Sequence, residues 1–123
     1  LIINILKKKK INLTKGNQKR DFIFIDDVVR AFEKIIHYAL KRKKNGKDTF
    51  EIGTGKSISI KNIALIILKL TNRNKNLLNF GALSYRKNEP MNIKLNLKKI
   101  KSIGWKPIYT IKESLIKTIN YYK

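Results

Sequence analysis

The chain has 123 residues and a mass of 14.4 kDa, with 29 Lys plus Arg against 8 Asp plus Glu, a formal charge of +21 and a pI near 10.3. That length allows one domain with one core at most, and 42% apolar content argues against a disordered tail. The absence of Cys, with one His and one Met, excludes disulfides, zinc fingers and iron–sulfur clusters.

In chain order, residues 1–6 are apolar and run into Lys7, Lys8, Lys9 and Lys10, the pattern of a helix ending in cations that suit its dipole. With Leu at position 1 and no leader-like pattern, the start reads as cut from something longer. Ile11 and Leu13 alternate with polar residues before a turn at Lys15, Gly16 and Asn17, and residues 21–25 (Asp-Phe-Ile-Phe-Ile) have the composition of a short buried strand. Asp27 is placed to cap a helix bearing Val28, Val29, Phe32, Ile35, Ile36, Ala39 and Leu40, which ends in a cationic stretch and Gly46. Residues 49–52 read as a second strand, stopped by Gly53 and Gly55.

Ser59 can cap a helix over 60–70 with Ile60, Ile63, Ala64, Ile67 and Leu68 on its buried side, and residues 71–79 read as a polar loop. Ile93 with Leu95 fits an edge strand, and Asn96 can cap a short helix bearing Leu97, Ile100 and Ile103 before Gly104. Thr110 and Glu113 form a capping-box pair ahead of a final helix with Ile111, Leu115, Ile119 and Tyr122 on one face. The class is α/β, with two strand–turn–helix units. The longest apolar run, residues 63–68, has six residues against the roughly 20 a membrane span needs, so no membrane partner is expected and the product is expected in the cytoplasm.

A charge of +21 first points to nucleic acid, since each phosphate contact releases counterions. The excess is 24 Lys to 5 Arg, and Lys, Ile and Asn together make 58 of 123 residues, a mixture that A+T-rich codons produce. Planar base and phosphate contacts favour Arg interleaved with aromatics, and the runs at 7–10 and 41–44 contain no aromatic residue. A basic nucleic-acid-binding domain therefore stands as the alternative, not the leading reading.

Gly53-Thr-Gly-Lys-Ser57 after a strand resembles a phosphate loop, but Phe50 occupies the position where that motif needs its first Gly, so a plain turn is the better reading. His37, four residues after Glu33, fits a solvated pair, and no second His or Cys exists to complete a metal set. Asp26 and Asp27 are adjacent rather than face to face, and no Tyr is followed four residues later by Lys. Arg is the scarce cation, which makes Arg20, at the entrance to the first strand, and Arg86, three residues before Glu89, informative. Guanidinium groups so placed can fork onto a diphosphate, and a neighbouring carboxylate can accept hydrogen bonds from a ribose. The alternative is a surface Arg paired with Asp21 or Glu89.

Four pieces in order carry a family resemblance: Gly16-Asn-Gln-Lys-Arg-Asp-Phe-Ile-Phe-Ile-Asp-Asp-Val-Val-Arg-Ala31, Phe50-Glu-Ile-Gly-Thr-Gly55, Tyr85-Arg-Lys-Asn-Glu89 and Ile103-Gly-Trp-Lys-Pro107. The chain resembles the C-terminal part of the extended short-chain dehydrogenases/reductases, the NAD-dependent nucleotide-sugar epimerases and dehydratases. The resemblance implies an edge strand and helix of a Rossmann-type sheet plus the small sugar-nucleotide subdomain, over residues 1–123, with the N-terminal Rossmann core missing. It implies that Arg20 and Arg86 grip the nucleotide diphosphate, that Glu89 faces the ribose, and that Gln18 and Asn17 also touch the sugar nucleotide. Trp105 is expected to be structural, and Glu51 stands where relatives carry Asn.

NAD or NADP is the implied cofactor, and a homodimer the common assembly. The Gly-rich dinucleotide loop, the catalytic Ser or Thr and the Tyr-x-x-x-Lys pair of that family have no counterpart in these 123 residues. The chain alone is therefore expected to be inactive, to need the missing N-terminal half, and to leave sheet edges and apolar helix faces uncovered. A subfamily acting on deoxysugars of bacterial surface polysaccharides fits residues 80–86 best. A non-catalytic remnant of an interrupted gene shares the same fold.

Overall fold

In the computed structural model the described residues are 1–42 and 46–123, so the middle of the cationic stretch after the long helix lies outside them. Five α-helices, one 3-10 turn (Lys75–Leu77) and four short strands follow one another along the described chain. Helix α1 (Ile2–Leu6) leads through the lysines to β1 (Ile11–Leu13), which pairs parallel with β4 (Leu78–Phe80), Ile11 opposite Leu78 and Leu13 opposite Phe80. Strand β2 (Lys19–Asp21) pairs antiparallel with β3 (Ser57–Ser59), Arg20 opposite Ile58.

Helix α3 (Ile60–Leu70) follows β3 directly because the Ser59 hydroxyl accepts the N–H of Asn62, which satisfies one of the orphan donors of the first turn. Its Ile63, Ala64, Ile67 and Leu68 are buried with Ile5 of α1, Leu78 and, from α5 (Ile111–Tyr121), Leu115 and Ile119. The capping box of α5 forms as expected, with the Thr110 hydroxyl accepting from the Glu113 N–H and the Glu113 carboxylate accepting the Thr110 N–H. A second cluster gathers Ala31 of α2 (Ile25–Lys41), Leu97, Ile100 of α4 (Lys98–Ser102) and Trp105. Trp105 is structural: it is 2% exposed and its indole N–H donates to the Asp27 carbonyl.

Several expected boundaries move. Within 21–25 only Asp21 belongs to a strand; Phe24 is the N-cap of α2 and Ile25 its first residue. Phe22 packs on the first cluster and Ile23 on the second, a strand-like alternation with no ladder partner among the described residues. Residues 49–52 behave likewise: Phe50 and Ile52 pack on the second cluster, exposed Glu51 between them accepts from the Asn96 N–H, and no strand forms. Strand character there needs a neighbouring strand, and none of the described segments supplies one.

Asp27 is not the N-cap. It lies inside the first turn of α2, fully buried, and its carboxylate turns outward to another part of the chain. Ile93 and Leu95 form no strand; next to them Asn92 makes an isolated bridge with Lys19 of β2. Leu78–Phe80 form a strand where a loop was expected, because parallel pairing with β1 buries Leu78. Leu97 occupies the N-cap position of α4, while the Asn96 side chain accepts the Lys98 N–H from one residue earlier.

Candidate functional site

The expected site residues fall on one clasp. The loop over residues 83–93 runs along β1 and β2 and is held by main-chain bonds at both ends: Leu83 N–H to Leu13 carbonyl at 3.1 Å and Lys19 N–H to Met91 carbonyl at 2.8 Å. Between them the Tyr85 hydroxyl accepts the Asn17 N–H at 3.0 Å. The Arg20 guanidinium donates to the Pro90 carbonyl at 2.7 Å and to its neighbour Lys19 carbonyl at 2.8 Å, and forms an ion pair with Glu89. A turn closed by the Glu89 N–H to the Arg86 carbonyl, with Asn88 at φ 62°, carries Arg86 on its exposed side.

Arg20 and Glu89 are thus brought together, as the paired-Arg alternative from the sequence expects. Both remain partly open, with side chains 25% and 19% exposed. Arg86 is exposed and, among the described residues, has no carboxylate partner. Asn17 contributes its main-chain N–H and keeps an exposed side chain. Gln18 is spent locally: its side-chain amide donates to the Thr14 hydroxyl at 3.2 Å and its main-chain carbonyl receives the Ile60 N–H. With Lys19, Arg20, Arg86 and Lys87 against Glu89 and Asp21, the clasp is a cationic surface suited to a phosphate-bearing ligand.

Three residues not singled out as site residues from the sequence build this region. Tyr85 pins the loop. Asp21 occupies the Gly53–Gly55 turn, its carboxylate accepting from the Thr54 N–H at 2.9 Å, the Thr54 hydroxyl at 2.6 Å and the Gly55 N–H at 2.7 Å. That resident anion uses the donors a phosphate loop would need, so the turn is the plain one expected. Asp27 accepts from the Ile108 N–H at 3.0 Å, the Tyr109 N–H at 3.1 Å and Arg30 at 2.8 Å, tying α2 to the approach of α5. The Asp27–Arg30 spacing of i, i+3 was the available signal; the contact with residues 108 and 109 had none.

Away from the clasp, Asp48 joins the end of α2 to α4 through Arg42, Tyr38 and Lys99. The hydrogen bond from Lys99, helped by those from Tyr38 and the charge of Arg42, holds the Asp48 carboxyl below its ordinary value against the opposing effect of desolvation. No group of three or more His, Cys, Asp or Glu fit to hold a metal occurs among the described residues, and His37 is exposed. Among the described residues no helix is long and apolar enough to cross a membrane.

The chain is 38% identical over 119 residues to CDP-abequose synthase of Salmonella typhimurium, covering 93% of this chain and 38% of that protein. It is 36% identical over 124 residues to the Salmonella muenchen enzyme of the same name, covering 98% of this chain and 41% of the relative. The fold superposes with a TM-score of 0.83 on UDP-glucuronic acid 4-epimerase of Bacillus cereus, solved with UDP-glucuronic acid and NAD, at 26% identity over 99% of this chain and 38% of that one. The chain therefore spans about two fifths of the length of the curated relatives it matches. Since the family model for GDP-mannose 4,6 dehydratase matches residues 1–118, the chain belongs to that family, within the extended short-chain dehydrogenases/reductases.

Proposed function

We propose that this chain is the sugar-nucleotide-holding part of an NAD(P)-dependent nucleotide-sugar epimerase, dehydratase or reductase, acting on deoxysugars of bacterial surface polysaccharides and inactive by itself. The observation that carries it is the clasp: a cationic loop bearing Arg86, stitched to the strand that bears Arg20, in a chain of this family. Arg86 meets the diphosphate first, because it is exposed and unpaired among the described residues. Arg20 joins it by sharing or releasing Glu89, whose carboxylate then accepts from the ribose hydroxyls. Asn17 borders the same ligand, and Gln18 acts by holding the Thr14 turn.

The cofactor of the family does not fit the residues present. The N–H groups of the Gly53–Gly55 turn are taken by Asp21, and no other glycine pair at dinucleotide spacing exists in the sequence. No step is therefore routed through NAD(P) here; the residues present bind and orient. The Salmonella relatives are CDP-abequose synthases, which makes a cytidine diphosphate sugar the first ligand to test.

The experiment joins the chain to the dinucleotide-binding part of a relative and titrates CDP, UDP and dTDP by calorimetry. Arg86→Ala should weaken the best ligand about 10- to 100-fold, as expected for charge-assisted bonds of about 1.5–3 kcal/mol. Unchanged affinity in Arg86→Ala overturns the assignment.

A further inference from the structure

Tyr85 is the aromatic residue of the clasp, and its half-buried ring packs in neither apolar cluster. Among the described residues its one polar contact is at the hydroxyl oxygen, which accepts the Asn17 N–H at 3.0 Å. A phenol both accepts and donates. With Asn17 on the acceptor side, the hydroxyl hydrogen turns away from that N–H, and no described residue accepts it. The turn facing Tyr85 is closed on itself. The Thr14 hydroxyl accepts the Gly16 N–H at 3.3 Å and the Gln18 side-chain amide at 3.2 Å. The Gly16 and Gln18 main-chain carbonyls accept from the N–H groups of Lys61 and Ile60 at the start of α3. Asn17 is therefore held in place, and through it the phenol oxygen, which leaves an oriented donor with its hydrogen free. Contacts follow one order along the clasp: Leu83 to Leu13, Tyr85 to Asn17, then Glu89 and Pro90 to Arg20. Tyr85 and Glu89 thus stand at opposite ends, about 10 Å apart as three extended residues span it, with Arg86 on the loop between them.

We propose that the Tyr85 hydroxyl is a further binding group of the site, donating its hydrogen to the phosphate remote from the ribose of a nucleoside diphosphate. The inference rests on the functional reading above and adds to it a neutral donor beside two cations. A ligand whose ribose lies at Glu89 extends its phosphates past Arg86 toward Tyr85. A neutral hydrogen bond offers no charge for salt to screen, so it selects a phosphate oxygen at one place rather than negative charge in general.

In the joined protein described above, Tyr85→Phe should weaken the best of CDP, UDP and dTDP about 3- to 10-fold, by the same factor at low and high sodium chloride. Arg86→Ala should lose a factor that shrinks as salt rises. The monophosphate of the same nucleoside lacks the outer phosphate and should bind Tyr85→Phe as well as it binds the unchanged protein. Because Tyr85→Phe also frees the Asn17 N–H, a second variant separates donation from loop anchoring. Replacement of Tyr85 by 3-fluorotyrosine makes the hydroxyl a stronger donor and a weaker acceptor, and at about pH 6 it stays protonated. Donation to phosphate predicts tighter diphosphate binding by that variant; binding unchanged or weakened means anchoring alone and overturns the proposal. Diphosphate binding unmoved by Tyr85→Phe, or a loss shared equally by the monophosphate, also overturns it and leaves the functional reading standing. A joined protein that binds none of the three diphosphates removes the functional reading, and this assignment with it.

Discussion

Asp27 illustrates how one side chain can matter more than its position suggests. It is fully buried, yet its charge is matched by Arg30 and two main-chain donors, so the ion is never left alone. Asp27→Ala would strand those donors and the guanidinium, and should lower stability by about 3–5 kcal/mol in urea unfolding. Asp27→Asn keeps one acceptor oxygen and should lose less. Asp48 makes a different prediction. Its carboxyl is held below the ordinary value of 3.8, with the Lys99 hydrogen bond the largest cause, so its contribution is complete above that ordinary value and disappears as pH falls through the lowered one. Protection of the amides around the α2–α4 junction, taken relative to their intrinsic exchange at each pH, should therefore fall as pH drops below about 4, and Asp48→Asn should abolish that dependence.

Among the elements, α3 and α5 were legible from sequence because their signals are local. Ser59 and the Thr110–Glu113 pair mark the starts, and the apolar period marks the buried side. Ser59→Ala should cost about 1 kcal/mol, read as a shift in urea midpoint with unchanged slope. The Gly53–Gly55 turn is set by close approach. A Cβ on Gly53 would collide with Leu95 and come within 2.8 Å of the Asp21 carboxylate, so Gly53→Ala should displace Asp21 and destabilise by about 1–3 kcal/mol. The strands were poorly legible. Residues 21–25 and 49–52 have strand composition, but strand formation depends on a neighbour that composition does not name; β4 gained one in β1 and 49–52 did not.

At the scale of the whole molecule, the charge that first pointed to nucleic acid has partly local uses. Lys117 lies over the Phe24 and Tyr109 rings, Lys99 over Phe50, and Lys61 over Phe80, so some lysines cover aromatic faces with their stems and ammonium groups. The remainder repel one another. Raising sodium chloride from about 10 mM to about 150 mM should therefore raise the melting temperature of the chain by screening that repulsion. A fall in melting temperature would instead mean that the few ion pairs, Arg20–Glu89 and Arg42–Asp48 among them, dominate.

The candidate site divides along the same line. Arg20, Arg86 and Glu89 could be picked out by residue type because Arg is rare here, and the order of four short motifs identified the family, since both are properties of linear sequence. That Arg20 already holds Glu89 and Pro90, that Tyr85 pins the loop to Asn17, and that Asp21 fills the glycine turn were decided only by tertiary structure. Those contacts join residues 33 to 70 positions apart, and no local propensity specifies which distant polar group will meet an open donor. The apolar face of α2 belongs to both levels: its period is written in the sequence, but that Ala31 is buried while Val29, Phe32 and Ile36 stay exposed depends on what the rest of the fold places against it.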